Sequence, residues 1–468
     1  MTSSPSAAFA ARRVFLGGRF APATVRVDGG RIAAIDAFDP DADTVLPDDA
    51  VLLPGLVDSH VHLDEPGRTE WEGFATGTAA AAAGGVTTLL DMPLNSDPVT
   101  TTPAALAAKR AAAAGKLAVD VGYWGGAVPE NLGSLRELAD AGVVGFKCFL
   151  SPSGIDEFGY LDAVGLDRAL TELAAFDGLL IVHAEDPAHL HADGPLGVHY
   201  RDFLASRPPE SERDAIRLVI ETARRTGARV HIVHVSDGTA LEDVRAAKAE
   251  GVRITVETCP HYLTLDAADV PDGGGAFKCC PPIRDRANQD LLWAGVVDGA
   301  IDAIVSDHSP STVALKSEPD FGLSWGGIAG LQTGLSAVHT AARARGIPLE
   351  RILPLMTTGP ARIAGLGGLG RIEAGLPAHL AVFRPDETFT VRAEALEYRN
   401  PMSPWDGRTL TGIVDTTYLR GESVYRRGDG VLVRSGRELL APSAVAGTEG
   451  SGASAPGASV HRVGEERA

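Results

Sequence analysis

The run Leu56-Val57-Asp58-Ser59-His60-Val61-His62 starts as an apolar β-strand and ends on two histidines. Side chains alternate along a strand, so His60 and His62 project from one face while Val61 points away, and a single metal ion can accept both. Seven further apolar runs of strand length follow, at 86–92, 117–124, 143–150, 179–183, 229–235, 253–258 and 303–307. They alternate with alanine-rich helical segments such as 69–83, which ends at Gly84-Gly85. This βα alternation predicts a parallel sheet. Eight such units fit a closed (β/α)8 barrel of the TIM type, an α/β fold, better than an open doubly wound sheet.

Both ends of the chain read differently. Short alternating runs such as Val25-Arg26-Val27 and Arg31-Ile32-Ala33-Ala34-Ile35, broken by Gly29-Gly30, mark a small β unit before residue 54, and a similar texture returns in Leu380-Ala381-Val382-Phe383 and from Gly412 to Tyr425. The expected organisation is a β-sandwich domain built from 1–53 and 371–440, around a barrel spanning 54–370. From 441 to 468 the chain turns to Gly, Ser, Ala and charge, the composition of a disordered tail.

A chain of 468 residues, 44% hydrophobic and 22% charged, is large enough for a barrel with an accessory domain. Its formal net charge of −19 offers no basic field for nucleic acid or anionic lipid. No signal-like segment opens the chain and no apolar run is long enough to span a bilayer, so a cytoplasmic protein is expected. Cys148, Cys259, Cys279 and Cys280 form no C-x-x-C pair and read as reduced packing residues.

In a barrel of this kind, chemistry gathers at the C-terminal ends of the strands. A His-x-His pair alone is a modest signal, but three more strand ends carry ligand types: His183 in Ile181-Val182-His183-Ala184-Glu185-Asp186, His234 in Ile232-Val233-His234-Val235, and Asp307 in Ile304-Val305-Ser306-Asp307-His308. Histidine and carboxylate suit zinc or a similar divalent ion. His231 falls on the opposite face from His234 and is read as an ordinary core residue. Lys147, within Gly145-Phe146-Lys147-Cys148-Phe149-Leu150, places an ammonium inside an apolar strand, where an unpaired charge is costly. Either it snorkels to solvent, or it needs a partner or a modification such as addition of carbon dioxide to give a carbamate.

Taken together, the segments HVH, FKCF, VHAED, HVSD and VSDHSP resemble the cyclic amidohydrolases: dihydroorotases, hydantoinases and allantoinases. The likeness runs from about residue 53 to 375. It implies two divalent metal ions per chain, zinc by default with cobalt, manganese or iron admitted by the same donors. His60 and His62 would hold one ion, His183 and His234 the other, N6-carboxylysine at Lys147 would bridge them, and Asp307 would return to the first. The implied reaction is attack of a metal-bridging hydroxide on a ring amide, with Asp307 as the catalytic proton shuttle. Homotetramers are common in such enzymes. Some relatives lose the ligands and serve as oligomeric interaction proteins, but this chain keeps every ligand position. A mononuclear deaminase would have no need of the buried lysine.

Within that family, dihydroorotases follow the second histidine with an arginine that grips a substrate carboxylate; here Leu63 is followed by Asp64, a carboxylate expected to repel an anionic ring. The DHAPH-like run of dihydroorotases is also absent, being Asp307-His308-Ser309-Pro310-Ser311 here. Hydantoinases and dihydropyrimidinases carry a tyrosine soon after the bridging lysine, where this chain reads Phe149-Leu150-Ser151. By contrast Met92-Pro93-Leu94-Asn95, Pro152-Ser153-Gly154-Ile155 and Trp325-Gly326-Gly327-Ile328-Ala329-Gly330 resemble the allantoinases, which implies allantoin as the substrate and allantoate as the product. Asn95 and the neighbourhoods of Cys280 and Gly327 are then the expected substrate contacts, while Arg68 and Trp71 are read as bracing the loop after the first strand.

Overall fold

The computed structural model describes residues 6–191 and 194–441. Eight parallel strands form in the expected order: β1 (Leu56–Val61), β2 (Val86–Asp91), β3 (Asp120–Tyr123), β4 (Phe146–Phe149), β5 (Leu179–His183), β6 (Arg229–Ile232), β7 (Ile254–Thr258) and β8 (Ala303–Ile304). β1 pairs with β2, β2 with β3, and β4 to β8 pair in sequence. After Trp124, β3 resumes as Gly125–Gly126, and this continuation pairs with β4. The ring closes where His62 N–H donates to the His308 carbonyl at 2.7 Å and the Asp58 carboxylate accepts from Ser306 N–H at 3.0 Å. The fold is therefore a closed (β/α)8 barrel. Period-2 alternation divides its apolar side chains: Leu179 and Ile181 of β5 join one buried cluster with Leu90, Trp124 and Val305, whereas Leu180 and Val182 join another with Val121, Ile232 and Val256.

Several boundaries differ from the sequence expectation. The sixth and eighth strands end at Ile232 and Ile304 instead of 235 and 307, because His234 and Asp307 take left-handed φ of 39° and 43° and leave the ladder. The first crossover helix is Phe74–Ala83, not 69–83. Its start is fixed by the Glu65 carboxylate, which accepts from Phe74 N–H at 2.9 Å and so satisfies a free donor of the first turn.

The two chain ends meet in a single nine-stranded sheet that includes Ala7–Leu16, Arg19–Asp28, Val51–Pro54, Leu380–Thr390 and Thr409–Leu419. Val51–Pro54 lies between the N- and C-terminal contributions and runs directly into β1. Phe9, Val14, Val25, Leu52, Leu380 and Val382 bury one core of this sheet. Residues around 438 do not join it. Glu438–Leu439 pairs in parallel with β3, and Val121 N–H donates to the Arg437 carbonyl at 2.9 Å. Since β3 reaches β4 only beyond Trp124, its earlier backbone groups lack a neighbour, and this segment supplies one. The expected tail, beyond residue 441, lies outside the described residues. Among the described residues no helix is long and apolar enough to cross a membrane.

Asp91, at the end of β2, ties this frame together. Its Oδ1 accepts from Leu63 N–H at 2.9 Å, and Lys109 of helix Pro103–Ala113 donates to its Oδ2 and to the Met92 carbonyl, with both charges fully buried. Lys109→Met would strand the carboxylate in the interior, so it should lower stability by about 3–5 kcal/mol. An unchanged urea midpoint would show that the pair does not hold the frame.

Candidate active site

All six residues expected as ligands line one cavity of about 300 Å³ at the C-terminal ends of the strands: His60, His62, Lys147, His183, His234 and Asp307. Asp307 Oδ1 lies 3.1 Å from His60 Nε2 and 3.7 Å from His62 Nε2. On the other side, His183 Nδ1 lies 2.9 Å from His234 Nε2. The His60 and His234 rings, with centroids 5.4 Å apart, connect the two groups. Lys147 is 1% exposed, and its Nζ sits 5.0 Å from the centre of the Phe149 ring.

Burial decides the charge states. It holds His62 and His234 well below the usual imidazole range and lowers His183 to about 4, so these rings are neutral. It lowers the Lys147 amine to about 8, against the opposing pull of Asp307 and Glu257. It raises the Asp307 carboxyl, opposed by His60 and Lys147.

The orientation of the His60 and His183 rings follows from an outer carboxylate behind each. His60 Nδ1 donates to Glu257 Oε1 at 2.6 Å, which leaves the Nε2 lone pair facing Asp307. His183 Nε2 donates to Glu185 Oε2 at 2.7 Å, which leaves its Nδ1 lone pair facing His234. A nitrogen lone pair directed at a carboxylate oxygen is repulsive unless a proton or a cation lies between them. Neutral imidazoles, a carboxylate and an amine converging in this way form a donor set of the type that holds divalent cations.

The sequence reading did not assign these outer partners. Glu257 is a carboxylate inside a buried strand, and the argument applied to Lys147 would have found it. Glu185 stands two residues after His183 in the VHAED run. Arg207, which clamps Glu185 through Nε at 3.0 Å and Nη2 at 2.6 Å, follows helix Tyr200–Ser206 and carries no local signal. His231 is not a bystander: its Nε2 donates to Glu257 Oε2 at 2.9 Å, and its Nδ1 meets Thr255 Oγ1 at 2.8 Å.

The expected substrate contacts, Asn95, Cys280 and Gly327, also line the cavity. Asn95 has a left-handed φ of 63°, and its carbonyl accepts from Arg68 Nη1 at 2.7 Å. Trp71 packs edge-on against Trp325 with centroids 4.8 Å apart, so Arg68 and Trp71 do brace the loop after β1. Gly327, at φ 120°, can only be glycine, because a Cβ there would come within 2.2 Å of the Ser309 carbonyl. Asp64 does not repel a ligand. It is wholly buried away from the cavity lining, and burial, reinforced by Asp91, holds its carboxyl well above the usual range.

Because Glu257 orients His60 and is itself held by His231, Glu257→Gln should weaken metal retention about 10–100-fold while leaving the fold intact. Metal content after dialysis against a competing chelator, read beside the far-ultraviolet dichroism, checks this, and wild-type retention would remove Glu257 from the orienting role.

Comparison with known proteins gives a consistent result. Residues 51–424 match the model of the amidohydrolase family. The chain is 56% identical over 413 residues to an allantoinase of Streptomyces avermitilis, covering 87% of this chain and 93% of that protein. It is 44% identical over 389 residues to an allantoinase of Saccharomyces cerevisiae, covering 81% and 84%. Among solved structures, an L-hydantoinase (dihydropyrimidinase) from Arthrobacter aurescens superposes with a TM-score of 0.86 at 29% identity, covering 92% of this chain and 99% of that one. A dihydropyrimidinase from Brevibacillus agri gives 0.85 at 27% identity, covering 94% and 99%. With the barrel closed, its ligand-type residues on one cavity and the family pattern spanning most of its length, this chain belongs to the amidohydrolase family.

Proposed function

We propose that the protein hydrolyses the ring amide of allantoin, adding water across one C–N bond so that the carbonyl carbon becomes the carboxylate of allantoate and the ring nitrogen leaves with a proton. The observation that carries the reaction class is the convergence of His60, His62, Lys147, His183, His234 and Asp307 on one cavity. The choice of ring rests on the allantoinases of bacteria and yeast, which are far more similar in sequence than the solved hydantoinases. A hydantoinase or dihydropyrimidinase activity is the second reading, favoured only by those structural neighbours.

His60, His62 and Asp307 would hold one divalent cation and His183 and His234 a second, zinc by first choice, with Lys147 bridging them as N6-carboxylysine. When bound, such a pair of cations supplies the positive charge that acidifies a water and polarises the amide carbonyl. Burial of Lys147 among apolar neighbours supports the modification, because a neutral amine is the form that adds carbon dioxide. Asp307 accepts the proton of the attacking water and returns it to the departing ring nitrogen. Its carboxyl faces the cavity beside His60 and His62, which supports that role. Asn95, with backbone groups near Cys280 and Gly327, supplies the polar contacts a neutral ring needs. The unit spanning 54–370 would do the chemistry, and 1–53 with 371–440 would brace it. A homotetramer is the expected assembly, to be read by light scattering.

A panel of allantoin, hydantoin, dihydrouracil and dihydroorotate on metal-loaded protein tests the substrate, and fastest turnover of any ring but allantoin would overturn it. Asp307→Asn should reduce kcat about 10²–10⁴-fold. Chelation should abolish turnover and added zinc restore it; activity that survives complete metal removal would be incompatible with the proposed chemistry.

A further inference from the structure

Two lysines outside the ligand set are buried beside the cavity. Lys316 ends the short helix Val313–Lys316, in the loop that follows β8, and is 5% exposed. Its Nζ donates to the carbonyls of Gly275 and Lys278, each at 3.1 Å, and to the carbonyl of Gly327. The first two acceptors belong to the loop after β7 and the third to the loop after β8. No carboxylate shares these contacts. Lys278 reaches back the other way, donating from Nζ to the Ser324 carbonyl, while its own carbonyl also accepts from Gly327 N–H at 2.8 Å. The two loops are thus cross-linked in both directions.

A buried ammonium with no counter-ion is costly, and an apolar side chain of similar length would be cheaper to bury. What only the lysine amine provides is several N–H donors at one point, where three carbonyl oxygens converge and would otherwise repel one another. The approach is close on every side: a Cβ on Gly275 would come within 2.1 Å of the Lys316 carbonyl. The far end of the segment is pinned independently. Asp320 accepts from Leu196 N–H at 2.9 Å and Gly197 N–H at 2.8 Å, and Phe321 stacks against Phe203. Lys316 therefore governs the stretch that carries Trp325, Gly326 and Gly327 along the cavity.

We propose that Lys316 is a positioning residue for substrate: by clamping the loop after β7 to the loop after β8, it sets where Cys280 and Gly327 stand against the bound ring. This rests on the reading of the cavity as a cyclic-amide site. The clamp makes no hydrogen bond to His60, His62, Lys147, His183 or His234, so its loss should act on binding more than on chemistry.

The test uses the full-length, metal-loaded protein and Lys316→Met, Lys316→Gln and Lys316→Arg. Lys316→Met should raise KM for the preferred ring about tenfold or more with kcat changed by less than about threefold. Metal content should be unaltered, and amide hydrogen exchange should quicken in 275–280 and 324–328 but not in β1, β5 or β6. Lys316→Arg and Lys316→Gln, which keep some donors, should fall between. A folded, metal-loaded Lys316→Met with wild-type KM, or with kcat lowered and KM unchanged, overturns the proposal. So does failure of both Lys316→Met and Lys316→Gln to give folded, metal-loaded protein, since the residue would then be structural. The exchange pattern does not depend on which ring is hydrolysed, so an error in the substrate leaves it intact.

Discussion

The Glu257 carboxylate accepts one hydrogen bond from His60 at 2.6 Å and another from His231 at 2.9 Å, in a place water does not reach. Burial works against its charge, yet His231 and His60 hold it below the usual carboxylate range. With that charge fixed, the tautomer of His60 is fixed too, and the lone pair it presents to the cavity follows. β1, β6 and β7 are locked at the same depth by one side chain. On the opposite wall Glu185 and Arg207 do the same for His183. The cavity's chemistry is therefore set one layer behind its surface, as it must be where low dielectric makes every unpaired polar group expensive.

Rigidity at the strand ends has a conformational cost. Of the six non-glycine residues with positive φ among the described residues, Asn95, His234 and Asp307 line this site. A histidine or aspartate held there persists only if its surroundings leave no alternative. Val233 N–H bonded to the Val182 carbonyl, and His308 N–H bonded to Ser306 Oγ, fix the residues on either side. Departure from the ladder lets His234 and Asp307 turn inward where a regular strand would carry them past the cavity.

On the proposed reading, selectivity belongs to the loops and not to the ligand set. Asp64 is buried away from the cavity lining, so it presents no charge to a ring there. The rim groups that remain are backbone and small side chains, and their places are decided by Arg68, Lys278 and Lys316, each of which holds a carbonyl on another loop. A neutral ring rich in donors and acceptors is the ligand such a rim suits.

The barrel and the six inward residues were legible in the sequence because both depend on local order. An apolar run that ends on His, Asp or Lys marks where a strand meets the cavity, and a period of two turns His60, His62, Lys147 and His183 inward. The same period would put His234 on the outer face with Val230 and Ile232, so the inward turn of His234 comes from its departure from the ladder. The strand-borne carboxylate Glu257 was equally legible by the charge argument, and was passed over. What only the tertiary structure decided is everything that depends on which distant groups come together: Arg207 behind Glu185, the burial of Asp64 away from the cavity, the segment around Glu438 on β3, and the three carbonyls around Lys316. Those outcomes rest on burial and on contacts between residues far apart in the chain, and neither quantity exists until the ring has closed.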